Sequence, residues 1–375
     1  MKDAAVPRGL PLLAALRAPA RLGAFSLAEW DLLLRQAAAA NLLARLYYLA
    51  HQHSALDSIP APARLHLDWA RTAAERHARA ARWEVSLIQQ ALAGLGTPLI
   101  LLKGAAYAMA ALPPAPGRLF SDIDVLVAPE QLGMAEGALI LHGWVATHLD
   151  AYDQRYYREW MHELPPMVHF RRHSAIDVHH AILPLTAPVH PDPYQLRAAA
   201  VEIPGAPGLR MLAPPDLVLH SATHLFFDGE LEHGMRDLVD LDSLLRHYGA
   251  DAAFWEALLA RARRLQLARP LFYALRYSAR LLHTPVPAEV LAASAAHGGQ
   301  PGALLLPLMD SLFGRALLPA HASCDDAWTP SARFLLYIRA NWLRMPPLLL
   351  ARHLFHKAFL SPKDNTEENT EKNPR

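Results

Sequence analysis

The chain has 375 residues, 53% hydrophobic and 19% charged, a balance that supports a sizeable core and excludes general disorder. Its formal net charge of +1 gives no bulk attraction to nucleic acid or anionic membrane. The lone cysteine, Cys324, excludes an internal disulfide and a cysteine-rich zinc site, and fits a cytoplasmic protein.

Much of the apolar content is alanine and leucine, both strong helix formers. The expected fold class is α+β: a small mixed β-sheet core with flanking N-terminal and C-terminal helical regions. Residues 1–96 form the first of these regions. Leu10 to Leu16 is a short apolar run behind Lys2 and Arg8, but Asp3, Pro7 and Pro11 argue against a signal peptide. Ser26 predicts the N-cap of a helix over 27–50, with Glu29 completing a capping box. Residues 63–93 repeat apolar positions at helical spacing.

The pattern changes over 97–212, the expected α/β core. Gly94 and Gly96 break the helix, and 98–102 reads as a short buried strand. Lys103-Gly104 predicts a turn, and 105–112 a short helix ended by Pro113 and Pro114. A second strand follows over 121–127. Pro129 opens a helix that runs to His142 and closes at Gly143. Residues 168–170 and 175–179 predict a hairpin, and 183–210 is proline-rich and irregular. From Pro214 onward helices are expected over 217–227, 235–248, 252–265 and 270–282, with more to about 360, so 213–360 is the C-terminal helical domain. The polar stretch 361–375 reads as a disordered tail. No run of eighteen uncharged apolar residues predicts a transmembrane helix. Residues 333–359 mix Leu, Trp and Phe with Arg339, Arg344 and Arg352, as a basic amphipathic helix would, but Pro346-Pro347 splits the segment. Core packing is expected there rather than membrane contact.

The chemistry concentrates in Leu101-Leu102-Lys103-Gly104 and in Arg118 to Val127. On a strand, residues i and i+2 share a face, so Asp122 and Asp124 converge while Ile123 and Val125 face the core. Two carboxylates held close are costly unless a cation neutralises them. Mg2+ favours carboxylates together with phosphate oxygens, and two such ions about 3.5–4 Å apart suit nucleotidyl transfer. Asp177, mid-strand between Ile176 and Val178, is the natural third acid, because an unpaired buried charge needs a reason. Gly104 allows close backbone approach to a phosphate, and Lys103 and Arg118 supply positive charge for it. The competing readings are a solvated strand-end lysine for Lys103, a structural ion-pair partner for Arg118 and a simple hairpin acid for Asp177.

Gly104, the Asp-x-Asp strand and a later strand Asp together resemble the polymerase-β-like nucleotidyltransferase pattern. More narrowly, Leu102-Lys103-Gly104, Arg118, Asp122-Ile123-Asp124-Val125-Leu126-Val127, His142-Gly143-Trp144 and Ile176-Asp177-Val178-His179 resemble the bacterial uncharacterised nucleotidyltransferase family. His220, His224, Arg236, Asp240, Trp255 and Pro285-Val286-Pro287 follow in the order expected of it. The resemblance spans roughly 25–290. The Gly104-to-Asp122 gap is longer than in the wider superfamily, and Ala105 follows Gly104, so the phosphate cradle departs from the common pattern. The resemblance implies transfer of a nucleoside monophosphate from an NTP. Asp122, Asp124 and Asp177 would be the catalytic and metal residues, with two Mg2+ ions or Mn2+ in their place. Lys103, Gly104 and Arg118 would be the nucleotide-binding residues. A small molecule or a protein is the expected acceptor, and no long nucleic acid, since there is no arginine-rich arm. The rival is a catalytically silent fold of the same kind that binds nucleotide or protein.

Histidine is abundant, at 21, yet His162-Glu163-Leu164-Pro165 does not make a helical H-E-x-x-H motif, and no dedicated zinc site is expected. His179 shares the strand face of Asp177 and is placed to line the pocket. His220 and His224 lie on one helix face, where histidine-mediated helix packing is favoured over a nucleotide contact, and Arg236 and Asp240 have the spacing of an intrahelical pair.

Overall fold

The computed structural model describes residues 10–147, 150–227, 229, 231–296, 298–346 and 348–352. The tail over 361–375 and the basic segment beyond 352 lie outside the described residues. The fold is α+β, with one mixed sheet between helical flanks.

The N-terminal flank begins as its caps dictate. Ser26 Oγ accepts from the Glu29 amide at 3.3 Å, and Glu29 Oε2 accepts from the Ser26 amide at 2.8 Å. The helix expected over 27–50 is two helices, Leu27–Ala39 and Leu43–Gln52. Asn41 takes φ +55° between them, a conformation that asparagine tolerates better than most residues. Ala61–Ala91 is then one unbroken helix of 31 residues that packs on Leu43–Gln52 and on Lys103–Met109.

Seven strands form the sheet: β1 (Leu99–Leu101), β2 (Asp122–Leu126), β3 (Trp144–Ala146), β4 (Met167–His169), β5 (Ala175–His179), β6 (Val201–Glu202) and β7 (Leu209–Met211), in the order β3-β4-β5-β2-β1-β7-β6. The pairs β2–β5 and β1–β7 are parallel, and the rest are antiparallel. The expected hairpin is β4–β5. Three features differ from the sequence reading. Lys103-Gly104 is the first turn of helix Lys103–Met109, not a turn ahead of it. The proline-rich 183–210 stretch contains helix Pro193–Ala199 and strands β6 and β7. Trp144–Ala146 pairs with β4 as an edge strand.

In the C-terminal flank, helix Pro214–Phe227 is the hub. It packs on Gly234–Tyr248, Ala252–Arg264 and Ala268–Tyr277, and also on Lys103–Met109 of the core. One buried apolar cluster runs from Leu10 through the sheet residues Leu101, Val125 and Ile176 to Leu336. Helix Thr329–Arg344 buries Ala332, Leu336 and Ala340 but leaves Phe334, Tyr337, Ile338 and Trp342 exposed, so only one face of this segment packs as expected. Among the described residues, no helix is long and apolar enough to cross a membrane.

Candidate active site

Strands β2 and β5 lie side by side in parallel, with Asp124 opposite Asp177 and Asp122 opposite Ala175. The two-residue period of the strands does the rest. Ile123, Val125, Ile176 and Val178 are buried on one face. Asp122, Asp124 and Asp177 share the other, and one carboxylate oxygen from each lies within 4.8 Å of the others.

The electrostatics of the three acids differ. Burial, and then the neighbouring Asp124, push Asp122 above the ordinary carboxylate range. Burial pushes Asp177 up to about 7, helped by Asp124 and Glu163. Burial acts in the same direction on Asp124, but there the Lys103 ammonium and the His179 hydrogen bond prevail and hold it well below the usual range. Lys103 Nζ is 3.6 Å from Asp124 Oδ1, and His179 Nε2 is 3.0 Å from the same oxygen. Asp124 is thus held ionised by two neighbours, while Asp122 and Asp177 are left in tension. A cation between them would relieve it, so the donor set suits a divalent metal.

Lys103 follows β1 directly and takes φ +40°, which costs a non-glycine residue roughly 1 kcal/mol or more. That strained residue carries the ammonium facing Asp124. Gly104 is buried beneath Arg118 and Phe120, and any Cβ there would meet the guanidinium and the ring. Arg118 is placed as the competing reading had it. Its Nε donates to Asp240 Oδ2 at 2.7 Å, and its guanidinium lies over the rings of Tyr107 and Phe120.

Lys103, Gly104, Arg118, Asp122 and Asp124 form one wall of a cleft, while Asp177 stands beside Asp124 outside its lining and His179, expected to line the pocket, is buried behind Asp124. The C-terminal helices supply the other wall, with Ser221, His224, Arg236, Asp237 and Asp240. The intrahelical pair expected between Arg236 and Asp240 does not form: Arg236 bonds to Asp237 at 2.9 Å, and Asp240 takes Arg118. Of the two histidines on helix Pro214–Phe227, His220 is buried in the packing and His224 lines the cleft. Two side chains that sequence reading set aside also belong to this neighbourhood. Extended chain carries His162 and Glu163 along β5, with Glu163 bridged to His179, and Glu163 Oε2 reaches His179 Nδ1 at 3.2 Å. Their signal in the sequence, His-Glu before Leu-Pro-Pro, has no helical period and shows its meaning only beside the later strand. Burial works against a charged His179, but the Asp124 hydrogen bond and Glu163 outweigh it and raise the imidazole above its ordinary value.

A family model described as an uncharacterised nucleotidyltransferase matches residues 26–283, which cover the N-terminal helices from the Ser26 cap, the whole sheet and both walls of the cleft. Neither a curated protein nor a solved structure matches the chain.

Proposed function

Because the chain belongs to the uncharacterised nucleotidyltransferase family, we propose that it transfers a nucleoside monophosphate from an NTP to a small-molecule or protein acceptor, on a polymerase-β-like core. The observation that supports this reading most is the meeting of three carboxylates from two parallel strands, within 4.8 Å, two of which, Asp122 and Asp124, line a cleft. Asp122, Asp124 and Asp177 are the residues to hold two divalent cations, Mg2+ or Mn2+. Such ions supply charge neutralisation at the phosphates and polarise the reacting oxygens.

The chain's own residues have the following roles in this reading. Lys103 sits beside Asp124 at the mouth of its helix, where its ammonium meets the phosphates. Gly104, having no Cβ, lets the Arg118 guanidinium lie over the start of that helix, where its charge adds to that of Lys103 beside the phosphates. Arg118, fixed by Asp240, contributes positive potential to the cleft while tying its walls together. Asp177 binds the catalytic ion as an ionised carboxylate and helps to take the proton from the acceptor hydroxyl. His179 steadies Asp124 in one orientation.

The test is incubation of the purified protein with each α-labelled NTP, Mg2+ and cell extract, followed for label transferred to an acceptor. Transfer by the wild type and its loss in Asp122→Asn combined with Asp124→Asn, with the fold intact, is the expected result. Undiminished transfer in the double variant would overturn the assignment, and Mg2+-dependent NTP binding with no transfer to any acceptor would favour a silent nucleotide-binding fold. Small-molecule or protein acceptors also carry a consequence. Binding to generic tRNA or duplex DNA should be weak and lack a steep salt dependence.

A further inference from the structure

We propose that His162, Glu163 and His179 form a second metal site, suited to a transition ion such as Zn2+ and joined to the carboxylate cluster through His179.

The backbone builds the site. The His180 amide donates to the His162 carbonyl at 2.9 Å, and the Leu164 amide to the Val178 carbonyl at 2.9 Å, so the 162–164 segment is stitched antiparallel along β5. That stitching sets His162 and Glu163 beside His179. One ligand atom from each of the three lies within 4.8 Å of the others. The closest pair, Glu163 Oε2 and His179 Nδ1, is 3.2 Å apart. Tetrahedral zinc with bonds of about 2.0–2.1 Å requires ligand–ligand edges of about 3.3–3.4 Å, so this pair already has the spacing of two zinc ligands.

The unsatisfied atoms point the same way. His179 is 4% exposed, and its Nδ1 makes no hydrogen bond, because the short approach to Glu163 lacks hydrogen-bond geometry. His162 Nδ1 is likewise buried without a hydrogen-bond partner. Two orphaned imidazole nitrogens on residues of one such cluster are rare in a folded interior. The other edge of His179 is engaged. With Nε2 bonded to Asp124 Oδ1 at 3.0 Å, Nδ1, beside Glu163, is the nitrogen left for an ion, which displaces any proton it carries. A carboxylate, a histidine and a metal in line is the arrangement by which ligating imidazoles are oriented.

Selectivity follows from the donors. The Asp122, Asp124 and Asp177 cluster offers only oxygens and suits Mg2+, whereas two imidazole nitrogens with one carboxylate suit Zn2+ or its neighbours. Three protein ligands leave a fourth position open. The two sites share one strand, since Asp177 faces the first and His179 the second, and Asp124 touches His179 directly. An ion at the second site would therefore hold the Asp124 carboxylate in place from behind.

The experiment uses the full chain, stripped with chelator and titrated with Zn2+ in millimolar Mg2+. Bound zinc is read by mass spectrometry after gel filtration, and Co2+ in place of Zn2+ supplies a ligand-field absorption band that reports the ligands themselves. One zinc per chain is expected, together with a Co2+ band in the wild type. His162→Ala and Glu163→Gln should each weaken zinc binding more than about tenfold and abolish the band, while Asp122→Asn keeps both. Retention of binding and band in the two former variants, or their loss in Asp122→Asn alone, would overturn the proposal by placing the ion among the aspartates. So would a folded wild type that binds no zinc, in which case His179 is a doubly protonated bridge between Asp124 and Glu163. Transfer activity enters none of these readings, so they stand or fall apart from the proposed function.

Discussion

Asp177 sits between Asp124 on the adjoining strand and Glu163 on the segment laid along β5, and burial with these charges pushes it up to about 7. In the unfolded chain an aspartate titrates near 3.9. The folded protein therefore holds this proton more tightly, and a destabilising contribution accumulates as pH rises from about 4 and is complete above about 7. Asp177→Asn removes it. In chelator, the variant should be more stable than the wild type at pH 8 by about 1–3 kcal/mol, with the gap shrinking toward pH 5. Thermal melts at the two pH values check this, and a pH-independent gap would mean that burial and its acidic neighbours do not raise this carboxyl in the folded protein. Gly104 offers a second test at the same scale. An added Cβ meets the Arg118 guanidinium and the Phe120 ring, so Gly104→Ala should cost about 1–3 kcal/mol. At Gly133, in helix Leu132–Leu141, a Cβ meets nothing within 4 Å, and Gly133→Ala should gain about 0.5–1 kcal/mol. Equal melting temperatures for the two variants would refute the crowding argument.

The β4–β5 hairpin delivers Asp177, and it is anchored from outside the sheet. Glu84, buried at 4% exposure near the end of helix Ala61–Ala91, accepts from Arg172 Nε and Nη2 at 2.9 and 2.8 Å and from Ser174 Oγ at 2.6 Å. Arg172 in turn lies over the Trp144 ring of β3 at 4.9 Å. Glu84→Ala leaves a guanidinium partly buried without its carboxylate, so a loss of about 3–5 kcal/mol is expected, read by urea unfolding. A loss under 1 kcal/mol would mean that the hairpin holds its place unaided. None of this anchoring was visible in the sequence, because the partners are separated by 88 residues. The hairpin itself was visible, since the alternation in Ala175-Ile176-Asp177-Val178-His179 has the period of a strand with one buried face. The Asp-x-Asp strand and the Ser26 capping box were legible for the same local reasons. Strands β3, β6 and β7 span two or three residues each, too few to show a period, and β7 owes its place to parallel pairing with β1. The carboxylate site was likewise legible residue by residue. The company that Asp124 keeps with Lys103 and His179, and the pairing of Arg118 with Asp240, depend on long-range docking that no short window encodes.

That docking is a property of the whole molecule, because each wall of the cleft comes from a different part of the chain. Arg45, on helix Leu43–Gln52, donates to the Pro113 carbonyl of the core at 2.6 Å and to Ser243 Oγ of the C-terminal flank at 2.7 Å. Arg118 and Asp240 close the same junction from the core side, with side chains 11% and 9% exposed. With one apolar cluster running through all three regions, the flanks and the sheet should unfold together, in a single calorimetric transition whose van't Hoff and calorimetric enthalpies agree. The Arg118–Asp240 pair makes this sharper. Arg118→Met strands a buried carboxylate and should cost about 3–5 kcal/mol, as should Asp240→Leu by stranding the guanidinium. The double variant buries no charge, so it should recover most of that loss and give a coupling energy of about 2 kcal/mol or more in the cycle. If the junction is cooperative, each single variant shifts the one transition downward as a unit. Two separate transitions in Arg118→Met, one for the sheet and one for the helices, would mean that the cleft is a contact between independently stable parts. In that case the Asp122 and Asp124 wall, with Asp177 beside it, would persist when the opposite wall has melted.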